Sequence, residues 1–151
     1  MHHEFQPSNP RFREVVTASF ARQTFMAKLG ATLVSVEPGR VEIAVDRAAD
    51  LLQQNGFVHA GVITSIADSA CGYAALTLAA EGHDVLAVEF KINLLSPARA
   101  ERFLARGRVL RPGRTLTVAQ ADVFGIDGDS GSEQTLVATL LSTVIARPER
   151  G

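Results

Sequence analysis

Residues 59–78 read HAGVITSIADSACGYAALTL, and the reading of this stretch decides the fold. Val62, Ile63, Ile66, Ala67, Ala70, Cys71, Ala74, Ala75 and Leu78 make it apolar or small on nearly every side of a helix. The pattern predicts a helix from about Ala60 to Ala80, ended by Gly82. A helix so uniformly apolar must be covered by other elements. Asp68 stands at its centre, where a carboxylate costs several kcal/mol unless it is paired, hydrogen-bonded or protonated. It could lie on one exposed stripe with Thr64, Ser65 and Gly72, or bond a backbone group as a structural polar residue. It could also be a carboxylate held in a dry pocket, its pKa raised toward use as a base.

Outward from this helix the period changes to two. Residues 31–47, ATLVSVEPGRVEIAVDR, predict a β-hairpin turning at Pro38-Gly39. Residues 48–58, AADLLQQNGFV, are a connector with the turn signal Asn55-Gly56. After the helix come four alternating segments, VLAVEFKINLLS (85–96), ERFLARGRVLR (101–111), RTLTVAQADVFGI (114–126) and QTLVATLLSTVIAR (134–147). Ser96-Pro97, Pro112-Gly113 and the polar loop DGDSGS (127–132) separate them. At the start, Asn9-Pro10 is a helix entry, and Phe12, Val15, Val16 and Phe20 carry an amphipathic helix to about Arg22, in a region closed by Gly30. The order predicts an α+β domain over 1–151, an antiparallel sheet curved around the long helix, with 1–24 as an N-terminal extension and helix.

Composition narrows the function. Apolar residues at 46% and charged residues at 21% are globular values, and a net charge of −1 argues against nucleic acid as partner. No stretch long enough to cross a membrane escapes interruption by Asp68, and MHHEFQPSNP has no signal-peptide core. The single cysteine, Cys71, suits a reducing cytoplasm and reads as a small core residue. His2 and His3 are too short a tract for a metal site, and no metal is expected.

His59-Ala60-Gly61 lies where the helix begins. The first N–H groups of a helix lack internal partners and sit at the positive end of its dipole, and small residues there admit a ligand to the backbone. Such an entrance can hold the oxyanion formed when a carbonyl is attacked. Ala60 and Asp68 are eight residues apart, about 12 Å along a helix. Reacting atoms must approach to about 3–3.5 Å, so a reaction using both groups takes them from different subunits. Two central helices antiparallel across a two-fold axis would do this, and an obligate homodimer is expected.

At these residues the chain resembles the hotdog-fold acyl-CoA thioesterases, in the branch typified by phenylacetic acid degradation (PaaI-like). Gln53, Gly56, His59 and Gly61 follow the pattern Gln-x-x-Gly-x-x-His-x-Gly, and Asp68 comes nine residues after the histidine. VEFKINLLSPA (88–98) and VLRPGRTLTVAQADV (109–123) are similar to later strands of that family, and the resemblance runs from about Phe25 to Arg147. It implies a hotdog fold and hydrolysis of an acyl-CoA thioester to free acid and coenzyme A. It implies Asp68 as general base or as nucleophile, the Ala60 N–H as oxyanion donor, and Gln53 orienting water or thioester, with Gln54 as competitor. His59 would support the turn near the thioester or simply hold the loop. Asn55, Gly56, Gly61 and Gly72 would border the substrate, and Arg111 and Arg114 would meet the nucleotide. The family usually has two glycines after the histidine, whereas the first here is Ala60; Gly72 and Ala87 stand where some relatives carry hydroxyls.

Coenzyme A would enter only as part of the substrate, with no separate cofactor, and a homotetramer built as a dimer of dimers is the further expectation. Arg102, Arg106 and Arg108 share one strand face, which reads either as solvated charge or as a phosphate surface. Phe20, Phe25, Phe57 and Tyr73 are candidates for an acyl pocket or for plain core. Two alternatives remain at this stage. One is a hotdog hydratase or dehydratase using His59 and Asp68. The other is a non-catalytic acyl-CoA binder; acyl-CoA sensors of the regulator type add a DNA-binding segment, and only about nine residues precede the first helix.

Overall fold

The computed structural model describes residues 4–128, 131 and 133–150, so His2, His3 and part of the 127–132 loop fall outside the described residues. In chain order the elements are α1 (Phe12–Arg22), α2 (Thr24–Leu29), β1 (Thr32–Glu37), β2 (Arg40–Asp46), a 3-10 turn (Ala49–Leu51), α3 (Ala60–Leu76), β3 (His83–Leu94), β4 (Arg102–Arg111), β5 (Leu116–Asp127) and β6 (Glu133–Pro148). The strands form one sheet in the order β1-β2-β4-β5-β6-β3, with every pairing antiparallel. It curves around α3, as the alternating segments predict. The architecture is an α+β hotdog fold.

The register shows how the core is built. Ile43, Ala105, Val123 and Ala138 lie opposite one another across β2, β4, β5 and β6, and all are fully buried on the face toward α3. The neighbouring row, Glu42, Arg106 and Asp122, faces away, as period two requires. On α3 the buried side carries Ile63, Ile66, Ala67, Ala70 and Ala74. Small residues bring helix and sheet close: a Cβ on Gly107 of β4 would overlap the carbonyl of Ala70. Cys71 belongs to this core, where burial, with lesser contributions from Asp68 and Asp122, pushes its thiol up to about 12.

Two boundaries differ from expectation. The long helix ends at Leu76 rather than near Ala80. Thr77, fully buried, donates its hydroxyl to Ala74 O at 2.7 Å and accepts the Gly39 N–H at 2.7 Å. That tie to the β1–β2 turn stops the helix. The region before Gly30 holds a second short helix, because Gln23 adopts an extended backbone between α1 and α2.

α3 is covered unequally. β3 is an edge of the sheet, and its Phe90 and Leu94 lie opposite buried Ser142 and Ala138, in register with the inner face. Yet Phe90 is 44% and Leu94 56% exposed, and Val88, at the register shift, 58%. The inner face is therefore open at this edge. Among the described residues no helix is long and apolar enough to cross a membrane.

Candidate functional site

The helix entrance is held by its own histidine. His59 has an extended backbone at the N-cap, and its Nδ1 accepts the Gly61 N–H at 2.8 Å. His59 O accepts the Val62 N–H at 2.9 Å, so the first turn is closed from one residue. A Cβ on Gly61 would lie 2.9 Å from His59 Nδ1, which accounts for glycine at that position. The Ala60 N–H is left over, with no acceptor among the described residues. It opens on a cavity of about 550 Å³ lined by Gln53, Gln54, His59 and Ala60 on one side and Leu94–Ala98 on another.

The preceding loop is a compact turn. Gly56 takes φ 84°, and its N–H bonds Gln53 O at 3.0 Å. The Gln53 side chain folds back so that Oε1 accepts the Asn55 N–H, which leaves its Nε2 as the group free to turn toward the cavity. Arg47 Nη2 anchors the loop through Gly56 O at 2.6 Å. Gln53 and Gln54 both reach the entrance cavity, whereas Asn55 does not line it.

Asp68 lies two turns along α3 on a different cavity, of about 400 Å³, shared with Gly72, Tyr73, Gln23 and residues 84–87 of β3. Its carboxylate is half-buried and has no hydrogen-bond or ion-pair partner among the described residues. Burial alone raises its pKa above the ordinary value. The structural-polar reading of Asp68 therefore fails for want of a backbone partner. Gly72 leaves open space where a Cβ would stand. The two cavities share no lining residue, so one protomer does not unite the helix entrance with the carboxylate.

The other predicted residues separate. Arg102 pairs with Asp46, Arg106 with Glu42 and Arg108 with Gln120, so that strand face is paired surface charge. Arg114 lines a separate cavity with Ser8, Ala75 and Gly113; neither it nor Arg111 borders the Asp68 or Ala60 cavities. Phe20 packs edge-on against Tyr73 at 5.9 Å, Phe25 is exposed, and Phe57 borders the entrance beneath the Arg99 guanidinium. Gln23, Ser19 and Arg22 were missed by the sequence reading and share the Asp68 cavity. Their only signal was a polar cluster at and just past the end of the first helix. Among the described residues no group of three His, Cys, Asp or Glu is placed to hold a metal.

Comparison with known proteins sets this geometry in context. The sequence pattern of the Thioesterase superfamily matches residues 55–132, spanning the turn, α3 and the strands through β5. A protein of Saccharolobus solfataricus, named provisionally as an esterase, is 31% identical over 70% of this chain and 74% of its own length. A thioesterase family protein from Silicibacter pomeroyi has a crystal structure that superposes with a TM-score of 0.87 at 46% identity, covering 91% of this chain and 99% of that one. A mutant of the phenylacetic acid degradation protein PaaI from Thermus thermophilus superposes with a TM-score of 0.71 at 27% identity, over 82% of this chain and 98% of the other.

Proposed function

The chain belongs to the thioesterase superfamily and is a hydrolase acting on thioester bonds, and from that premise we propose that it cleaves acyl-CoA thioesters at a centre built by two copies. The observation that carries the proposal is the split site: a partnerless N–H at Ala60 and a partnerless carboxylate at Asp68, on separate cavities of one helix. A second copy set antiparallel against the open flank would bring the Ala60 N–H of the partner subunit to the Asp68 cavity, and the reciprocal pair to the other. The uncovered apolar side chains Val88, Phe90 and Leu94 of edge strand β3 support that flank as the surface joined.

In this reading Asp68 takes a proton from water, and the hydroxide adds to the thioester carbonyl carbon. The oxygen becomes an oxyanion and is held by the partner's helix-entrance N–H, strengthened by the helix dipole. Collapse expels the coenzyme A thiolate, which recovers the proton from Asp68. An attack by Asp68 itself, through an anhydride, uses the same residues, and heavy oxygen from labelled water found in the Asp68 carboxylate marks an anhydride opened at the Asp68 carbonyl. His59 serves as the cap that keeps the entrance in shape, since its Nδ1 is engaged by Gly61.

The test uses two variants that spare the fold. Asp68→Asn removes the base and is expected to lower thiol release from acyl-CoA by about 10²–10⁴-fold. Ala60→Pro replaces the N–H with a ring carbon while keeping the backbone, because proline is favoured at the first helical position and His59 already has the extended backbone a following proline requires. It is expected to cost about 10²–10³-fold. Co-refolding equal amounts of the two inactive variants restores about one quarter of wild-type activity if each centre draws on both copies. No recovery, with mixed oligomers verified, would reject the shared centre.

A further inference from the structure

Among the described residues only two buried side-chain polar atoms lack a hydrogen-bond partner, Oε1 of Gln23 and Nε of Arg147. Both belong to one connected region. Gln23 lines the Asp68 cavity, and Arg147 lines an adjoining cavity of about 280 Å³. Ser19, Arg22 and Asp84 border both, so the second chamber adjoins the space beside Asp68. Arg22, Arg147 and Arg150 line this second chamber together with Asp84 and Glu149. Asp84 Oδ1 is engaged by the Val85 N–H at 2.8 Å, while none of the three arginine side chains has a hydrogen bond or ion pair among the described residues.

An unpartnered guanidinium beside a cavity is costly, and an anionic oxygen bound there would satisfy it. The path from Asp68 is polar as well: Ser19 Oγ and Tyr73 Oη lie 3.3 Å apart along it. We propose that Arg22, Arg147 and Arg150 form an anion seat that holds a carboxylate or phosphate group of the thioester substrate. The inference rests on the acyl-CoA reading above. Leu76, which borders the seat, lies eight residues beyond Asp68, about 12 Å along the helix. That span fits a carboxylate at the far end of a medium-length acyl group, and equally a phosphate of a folded coenzyme A.

The experiment compares a medium-chain acyl-CoA ending in methyl with its counterpart of equal length ending in carboxylate, using wild type, Arg147→Met and Arg22→Met. If the acyl end carries the anion, wild type prefers the carboxylated substrate and each variant reduces that preference by about tenfold or more. If the seat takes a phosphate, both substrates lose kcat/KM together through KM, and inhibition by free coenzyme A weakens in parallel. Variants that alter neither the preference nor coenzyme A inhibition overturn the seat. Arg147→Lys, which keeps the charge, and thermal melting of each variant separate lost binding from lost folding. A wild type that hydrolyses no thioester would reject the acyl-CoA reading instead. The seat would then be judged by calorimetric titration of a dicarboxylate and of coenzyme A into wild type and Arg147→Met, and equal or absent binding in both would overturn it.

Discussion

The two sides of α3 obey opposite rules. On the covered side Ala67, Ala70 and Ala74 meet the sheet so closely that Gly107 has no room for a side chain. On the side toward β3, Ser65, Asp68, Ser69 and Gly72 are only partly covered, and Gly72 faces open space. Both sides are made of small residues. Small residues packed on backbone close a core, whereas small and polar residues facing a gap leave a surface for another molecule. The two glycines therefore carry different meanings in one fold.

Substitutions that exchange these rules test the contrast. Gly107→Val, on the covered side, forces a branched side chain into the Ala70 backbone and is expected to cost about 3 kcal/mol or more, measured by urea denaturation. A well-folded Gly107→Val protein would show that the covered side is looser than described. Asp68→Asn acts in the other direction. Burial raises the Asp68 pKa, so the folded chain keeps its proton to higher pH than the unfolded chain, and unfolding releases a proton in between. Stability then falls as pH rises from the ordinary value of 3.8 through the raised one, and at neutral pH the ionised carboxylate is a standing cost. The variant should melt higher than wild type at pH 7, and the two curves should converge below pH 3.8. A lower melting temperature at neutral pH would mean that Asp68 is paired in the assembled protein. The smallest effect belongs to Gly72→Ala. In a lone protomer it gains up to about 1 kcal/mol from helix propensity, since nothing obstructs its methyl. A loss instead would place a second copy's backbone against that position.

The fold was legible because period and punctuation agreed along the chain. Alternation at two marked all six strands, and an apolar helix with a single carboxylate marked the centre. What was not legible depends on contacts between distant segments. Thr77 ends α3 early through the Gly39 N–H, and nothing at residue 77 announces a partner 38 positions away. α2 is too short for periodicity to reveal. The site divides in the same way. His59, Ala60 and Asp68 are local to one helix and could be read from it. Arg22 and Arg147 come from opposite ends of the chain and share a cavity wall only because β3 and β6 pair beside α1, and Gln23 lines the adjoining cavity. The arginine row of β4 invited a phosphate reading, but cross-strand acids and amides at Asp46, Glu42 and Gln120 were already opposite it in the register.

The inert sulfur of Cys71 has a practical reward. The chain has one cysteine, and that one is sealed in the core with its thiol held protonated up to about pH 12. A colour reagent that captures thiolates will therefore register coenzyme A and stay blind to the enzyme while it is folded. A cysteine engineered onto the surface would be the sole attachment point for a dye, so the meeting of two copies could be followed by fluorescence without first stripping the chain of competing thiols.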